Sequence, residues 1–237
     1  MTDPILELHS VSKAYGGLRP LRIERLVVTA GAQLALVGFD RPTAEVLINL
    51  ATGASLPDHG EVALFGCASQ LIQDSDEWLA LADRFGIVSE RAALLGGLSV
   101  VQNLAMPFSL DIEPPSAALR ERAVALGREV GLVDEDWDRP LGGIDPAAEL
   151  RVRLARALAL DPAIVILEHA TARLDSGDVI PLGRMIRGVM ERRGTAALTL
   201  TADAEFAAAV APRVLRLDPA TGRLTEERQG WFHRLRR

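Results

Sequence analysis

The stretch ALVGFDRPTAEVLIN (35–49) decides how this chain is read. Its first residues end a strand, and AEVLINLATG (44–53) carries apolar residues at helical spacing, closed by Gly53. Between them lies the place of a phosphate-binding loop, G-x-x-x-x-G-K-[ST]. In that loop glycines let backbone N–H groups cradle phosphate, the lysine reaches the outer phosphates and the hydroxyl holds Mg²⁺. Gly38 starts the frame, but Thr43 then stands for the second glycine, Ala44 for the lysine and Glu45 for the hydroxyl. Lys13, in VSKAYGG (11–17), is the only lysine of the chain, so no neighbouring lysine can step in. The strand–loop–helix scaffold is present and its phosphate chemistry is not.

The chain of 237 residues is 49% hydrophobic but only 4% aromatic, so a sizeable core must be built from Leu, Val, Ala and Ile. Apolar runs such as Ala163–Leu167 fall far short of the ~20 residues that span a bilayer. The opening MTDPILEL has an acid at Asp3 and no apolar segment of signal-peptide length, so none is expected. The single Cys67 excludes an internal disulfide and fits a reducing cytosol. A net charge of −6 argues against general nucleic-acid binding.

Outward from the central stretch, residues 5–36 are punctuated by Gly16, Gly17, Pro20 and Gly31 and suggest antiparallel strands. LPDHGEVALFG (56–66) reads as a turn and a strand, and residues 68–85 as a surface connection. The pattern over 99–133 is helical, interrupted by Pro107 and by Pro114-Pro115. AAELRVRLARALAL (147–160) is an amphipathic helix stopped at Asp161-Pro162, because a residue before proline is biased away from helix. AIVILE (163–168) is then a fully apolar strand of the parallel-sheet type. A helix over 178–193 ends at Gly194, and strands over 196–201 and 213–217 follow. This alternation is α/β.

LHSVSKAYGGLRPL (8–21), the loop at Gly38, LPDHGEVALFG (56–66) and LARALALDPAIVILEHATARLD (154–175), in this order and spacing, resemble the ATP-binding subunit of an ABC transporter. The resemblance covers about the first 225 residues. It implies a P-loop NTPase core of the ABC type with an antiparallel β-subdomain. The nucleotide-binding domain would span 1–226, with a helical insert near 90–145, and a basic aromatic tail would follow over 227–237.

The resemblance also assigns site positions. Tyr15 falls where the family stacks an aromatic ring on adenine; the alternative is a tyrosine packed against the β-subdomain. Gly38, Arg41, Thr43, Ala44 and Glu45 occupy the phosphate loop. Glu90, in GIVSERAALLGGLSVVQN (86–103), replaces the Q-loop glutamine. Glu168 stands where the Walker B strand ends in aspartate, and His169 where the catalytic glutamate follows. Glu168 could reach a metal through water, and His169, with a pKa near neutrality, could act as a base; the competing reading is a structural histidine. The switch histidine falls at Ala202 in TLTADAE (199–205). The signature motif lands on Ile144-Asp145-Pro146-Ala147-Ala148, and Leu141-Gly142-Gly143 is read as a loop hinge. A carboxylate such as Asp145 at ~4 Å from a phosphate charge costs about 4 kcal/mol at an effective dielectric of 20. Leu174-Asp175 resembles the D-loop of the family's dimer interface.

The expected reading is an ABC-type subunit in which the catalytic residues are replaced. ATP would be held weakly, Mg²⁺ would have little to hold it, and no protein metal site is expected. Two other readings stand beside it. One is a divergent ATPase using Arg41 as a bidentate phosphate ligand, with Glu168 or His169 handling metal and water. The other is a regulatory scaffold outside transport. The implied partners are a membrane permease and a second ATP-binding subunit, as homodimer or heterodimer, at the inner face of the cytoplasmic membrane. GLSVVQNLAMPFSL (97–110), with Ser99 as a helix cap, resembles the segment of lipid and lipoprotein systems that lies beside the permease groove. RQGWFHRLRR (228–237) mixes arginines with Trp231 and Phe232, which suits an anionic membrane interface or a solvated tail.

Overall fold

Successive residues of β3 (Gln33–Val37) point into two different cores. Leu34 and Leu36 join one cluster, while Ala35 and Val37 join the other. The same alternation holds in β7 (Ile164–Glu168), where Ile164 and Ile166 oppose Val165 and Leu167. A strand buried on both faces reads as a continuous apolar run, which is why AIVILE has no polar alternation.

The computed structural model describes residues 3–72 and 74–227. The central sheet has six strands in the order β10-β9-β3-β8-β7-β6, with β8 spanning Ala196–Thr201, β9 Arg213–Leu217, β10 Leu224–Glu226 and β6 Phe85–Val88. Its pairings are parallel except that of β10, which runs antiparallel along the edge. A second, antiparallel sheet has the order β2-β1-β4-β5, from β1 (Pro4–Lys13), β2 (Leu21–Thr29), β4 (His59–Leu64) and β5 (Cys67–Ala68). Between the two sheets lies one core, into which α1 (Arg41–Ala51) inserts Leu47, Ile48 and Leu50. On the far face of the central sheet a second core gathers α3 (Val100–Ala105), α4 (Ala117–Glu129), α5 (Pro146–Leu158), α6 (Ser176–Arg193) and α7 (Ala204–Val210). This is the ABC-type P-loop architecture with its antiparallel β-subdomain.

The connection expected over 68–85 instead contains α2 (Ser75–Ala82) and runs into β6. Helix α2 buries none of its residues, so it carries no core-facing stripe for a sequence reading to find. Strand β6 is four residues long with Gly86 inside it, and a Cβ there would lie 2.4 Å from the Ala157 carbonyl oxygen. That close approach of α5 to β6 brings residues 89–91 over the end of β7. Among the described residues no helix is long and apolar enough to cross a membrane. The basic aromatic tail lies outside the described residues.

Candidate functional site

The loop between β3 and α1 begins at Gly38, whose φ of +91° is a conformation that favours glycine. Asp40 then caps α1. Its carboxylate accepts from the Thr43 backbone N–H at 2.9 Å, and its carbonyl accepts from Ala44 N at 2.9 Å. The Thr43 and Ala44 amides are thus taken from within the loop, and Pro42 has no N–H to offer. Hydrogen bonds from Thr43, side chain first and backbone second, hold the Asp40 carboxyl below the usual carboxylate range. Ala44 is fully buried, so its side chain belongs to the core and not to a ligand. The Tyr15 hydroxyl lies 3.0 Å from Thr43 Oγ1, and a Cβ on Gly17 would meet the Tyr15 ring at 2.8 Å. The Tyr15 ring packs against its own turn and its hydroxyl reaches across to the loop.

Three acids and two arginines meet beside this loop. Arg91 Nη1 lies 2.5 Å from Glu45 Oε1. On its other side, Arg91 Nη2 and Nε donate to Glu168 Oε2 at 2.9 and 3.2 Å. Ser89 Oγ donates to the same Glu168 oxygen at 2.6 Å and accepts from Arg91 N. Glu168 is buried, whereas Glu45 and Arg91 are partly exposed. Arg41 pairs with Glu90 at 3.1 Å. The structure thus joins two of the candidate nucleotide-binding residues, Arg41 and Glu90, in a partly exposed ion pair. Glu45 is paired with the Arg91 guanidinium. The donor set does not match a magnesium nucleotide. The carboxylates that would face the metal are closed on a guanidinium, and the loop amide that would face phosphate is closed on Asp40.

His169 follows β7 with φ +43°, a strained conformation for a residue with a Cβ. Its backbone N–H donates to Leu200 O at 2.8 Å, and its Nε2 is buried without a partner. Ala202 is exposed. At the signature register Asp145 caps α5 by accepting from Ala148 N at 2.8 Å, with Pro146 as the first helical residue. The Gly142-Gly143 pair is a pinned turn, not a hinge, since Gly142 N donates to Gly96 O at 3.0 Å.

A further set of charges, unnoticed in the sequence, fastens residues 89–93. Arg153 of α5 donates to the carbonyls of Ser89 and Ala92, both at 2.7 Å, and Arg156 to that of Ala93 at 2.6 Å. Glu149 accepts from Arg153 at 2.8 Å and from Arg173 at 2.8 Å, joining α5 to the residues before α6. Asp40, Ser89, Arg91 and Arg153 carry this site, and none stands at a position where a motif frame demands its residue type. Among the described residues no group of three or more His, Cys, Asp or Glu could hold a metal ion.

Beside β6 lies a groove of about 390 Å³ lined by Phe85, Ile87, Leu94, Met106, Pro107 and Leu160. Of the stretch 99–110, Met106 and Pro107 face this groove and Leu110 is 87% exposed, while Val101 is buried at 1% and is no surface residue. Ser99 caps α3 as expected, in a reciprocal pair with Gln102.

No family model matches the chain. It is 30% identical over 211 residues to the lipoprotein-releasing system ATP-binding protein of Alcanivorax borkumensis, covering 87% of this chain and 92% of that protein. It is also 30% identical over 230 residues to the methionine import ATP-binding protein of Rhizobium etli, covering 97% of this chain and 62% of the relative. The chain therefore spans about three fifths of the length of the methionine-import relatives. A solved ATP-binding cassette, a dimer in a post-hydrolysis state with ADP and Pi, superposes with a TM-score of 0.75 at 21% identity, over 94% of this chain and 99% of that one.

Proposed function

Since this chain belongs to the ATP-binding subunits of ABC transporters, we propose that it is a non-hydrolysing member of that family, which docks to a membrane permease as a scaffold. The observation that carries this reading is the loop after β3. Asp40, an anion of the chain itself, takes the Thr43 amide that a phosphate would use, and the loop has no lysine to offset it. The pairings Arg41–Glu90 and Arg91–Glu168 support the same reading, because each removes a residue that a divergent ATPase would need free. The partner in the dimer would be a second copy or an intact ATP-binding subunit, at the inner face of the cytoplasmic membrane.

Docking is supported by the groove at Ile87, Met106 and Leu160, whose largely apolar lining, with Asp83, Arg153 and Arg156 among it, suits a short amphipathic helix of a permease. A lipid or lipoprotein system is supported by the register of SVVQNLAMPFSL (99–110) and by the lipoprotein-releasing relative. ATP or ADP binding, where it occurs, would be weak and independent of Mg²⁺.

Calorimetric titration with ATP, with and without Mg²⁺, and a phosphate-release assay test the proposal. The expected result is a dissociation constant no tighter than about 1 mM and no turnover. Micromolar, Mg²⁺-dependent binding would overturn it, as would turnover of ~1 s⁻¹ or more that Glu168→Ala abolishes.

A further inference from the structure

We propose that Arg91 is a tethered cation standing where this fold holds a divalent metal, so that residues 89–93 keep one position without nucleotide. The inference rests on the reading above but uses a different feature of the same site. Glu45 at the start of α1 and Glu168 at the end of β7 occupy the two positions where the family places its metal-facing side chains. One guanidinium touches both, at 2.5 and 2.9 Å.

The charge balance gives the reason. Glu168 is buried, and a buried carboxylate without a partner is strongly unfavourable, so a cation held at this place stabilises its charged form in the folded domain. A metal would satisfy Glu168 only while nucleotide and metal are bound. Arg91 satisfies it at all times, with two nitrogens on one oxygen and Ser89 Oγ completing that oxygen's partners. The guanidinium hangs from the segment that leads from β6 into the helical region. Its contacts with α1 and β7 therefore fasten this segment from below, while Arg153 and Arg156 hold the carbonyls of Ser89, Ala92 and Ala93 from α5. Fixed on both sides, the segment has no need of a bound ligand to set its place. Two carboxylates, Glu45 and Glu168, hold the guanidinium, and the Ser89 hydroxyl sits on the second of them. That is the donor class preferred by hard divalent cations such as Mg²⁺ and Mn²⁺. Removing the guanidinium should therefore expose a site that a free cation can enter.

The test compares wild type, Arg91→Ala and the double variant Arg91→Ala/Glu168→Gln, all without nucleotide. Mn²⁺ binding is read by electron paramagnetic resonance, and amide exchange over residues 89–98 by mass spectrometry. The expected result is at least tenfold tighter Mn²⁺ binding in Arg91→Ala than in wild type, loss of that gain in the double variant, and faster exchange over 89–98 in the single variant. Mn²⁺ binding no tighter than in wild type, or unchanged exchange, would overturn the proposal. If Arg91→Ala does not fold, folding of the double variant supports the proposal, since it leaves no buried anion without its cation; failure of both overturns it. The readout is separate from ATP affinity, so a wild type that binds MgATP tightly would sink the non-hydrolysing reading by a different measurement.

Discussion

The Tyr15 hydroxyl and Thr43 Oγ1, 28 positions apart in sequence, stand 3.0 Å from each other and join the turn after β1 to the first turn of α1. Tyr15→Phe removes this hydrogen bond and keeps the ring, so the expected loss of stability is about 1 kcal/mol, read as a shift of the urea midpoint. Adenosine and ATP should bind equally and no tighter than millimolar, because stacking contributes ~1–3 kcal/mol and the phosphates gain nothing. Calorimetry showing a clear preference for ATP would contradict this.

Restoring the missing lysine should not restore an ATPase. In Ala44→Lys, Asp40 still closes the Thr43 amide, Pro42 still lacks an N–H and Glu45 is still paired with Arg91. Phosphate release from MgATP should stay at background in this variant. Turnover gained by that one change would show that these pairings yield readily to nucleotide.

At the groove, Met106→Glu combined with Leu110→Glu should release the protein from membranes when it is produced with its permease. The change in stability should stay near ±0.5 kcal/mol at the exposed Leu110, as for surface positions generally. Val101→Asp, by contrast, places a charge in the core and should cost about 3 kcal/mol or more. Membrane retention of the folded groove variant, measured by fractionation, would remove this face as the docking site.

Acid should loosen the join between α4 and α6. Arg193 donates to both oxygens of Glu129, at 2.6 and 2.5 Å, and also to the Leu158 carbonyl at 3.0 Å. The Arg193 hydrogen bond, more than the charge attraction, holds the Glu129 carboxyl below its usual range. A lowered folded-state pKa means that this stabilisation is complete above the unfolded value of about 4.3 and is lost as pH falls through the folded value. Arg193→Ala should cost about 2 kcal/mol near pH 7, and the gap from wild type should narrow as pH falls below about 4. An unchanged gap under acid would mean that packing, not the charge, carries the effect.

The elements that bury an apolar face were legible in the chain. AIVILE, the helix over 147–160 and the strand ending at Gly38 each carry a pattern set by burial, and they occur where the pattern places them. Helix α2 was not legible because it has no buried stripe, and β6 was hidden by its brevity and by Gly86. The substitutions at Thr43, Ala44, Glu45 and Glu168 are visible by comparison with a motif, but the charge pairings of Glu45 and Glu168 with Arg91 are not.

What the sequence by itself determined was the order of layers and the loss of the phosphate-binding lysine, since both depend on residue type and local spacing. What only the tertiary structure decided was where the remaining charges go. Arg91 lies 46 residues from Glu45 and 77 from Glu168 in the chain, and nothing local links them. They meet because β6 packs beside β7 and α1 starts at the same edge of the sheet. Buried charge must find its partner wherever the fold brings one within reach, and that search has no period in the sequence.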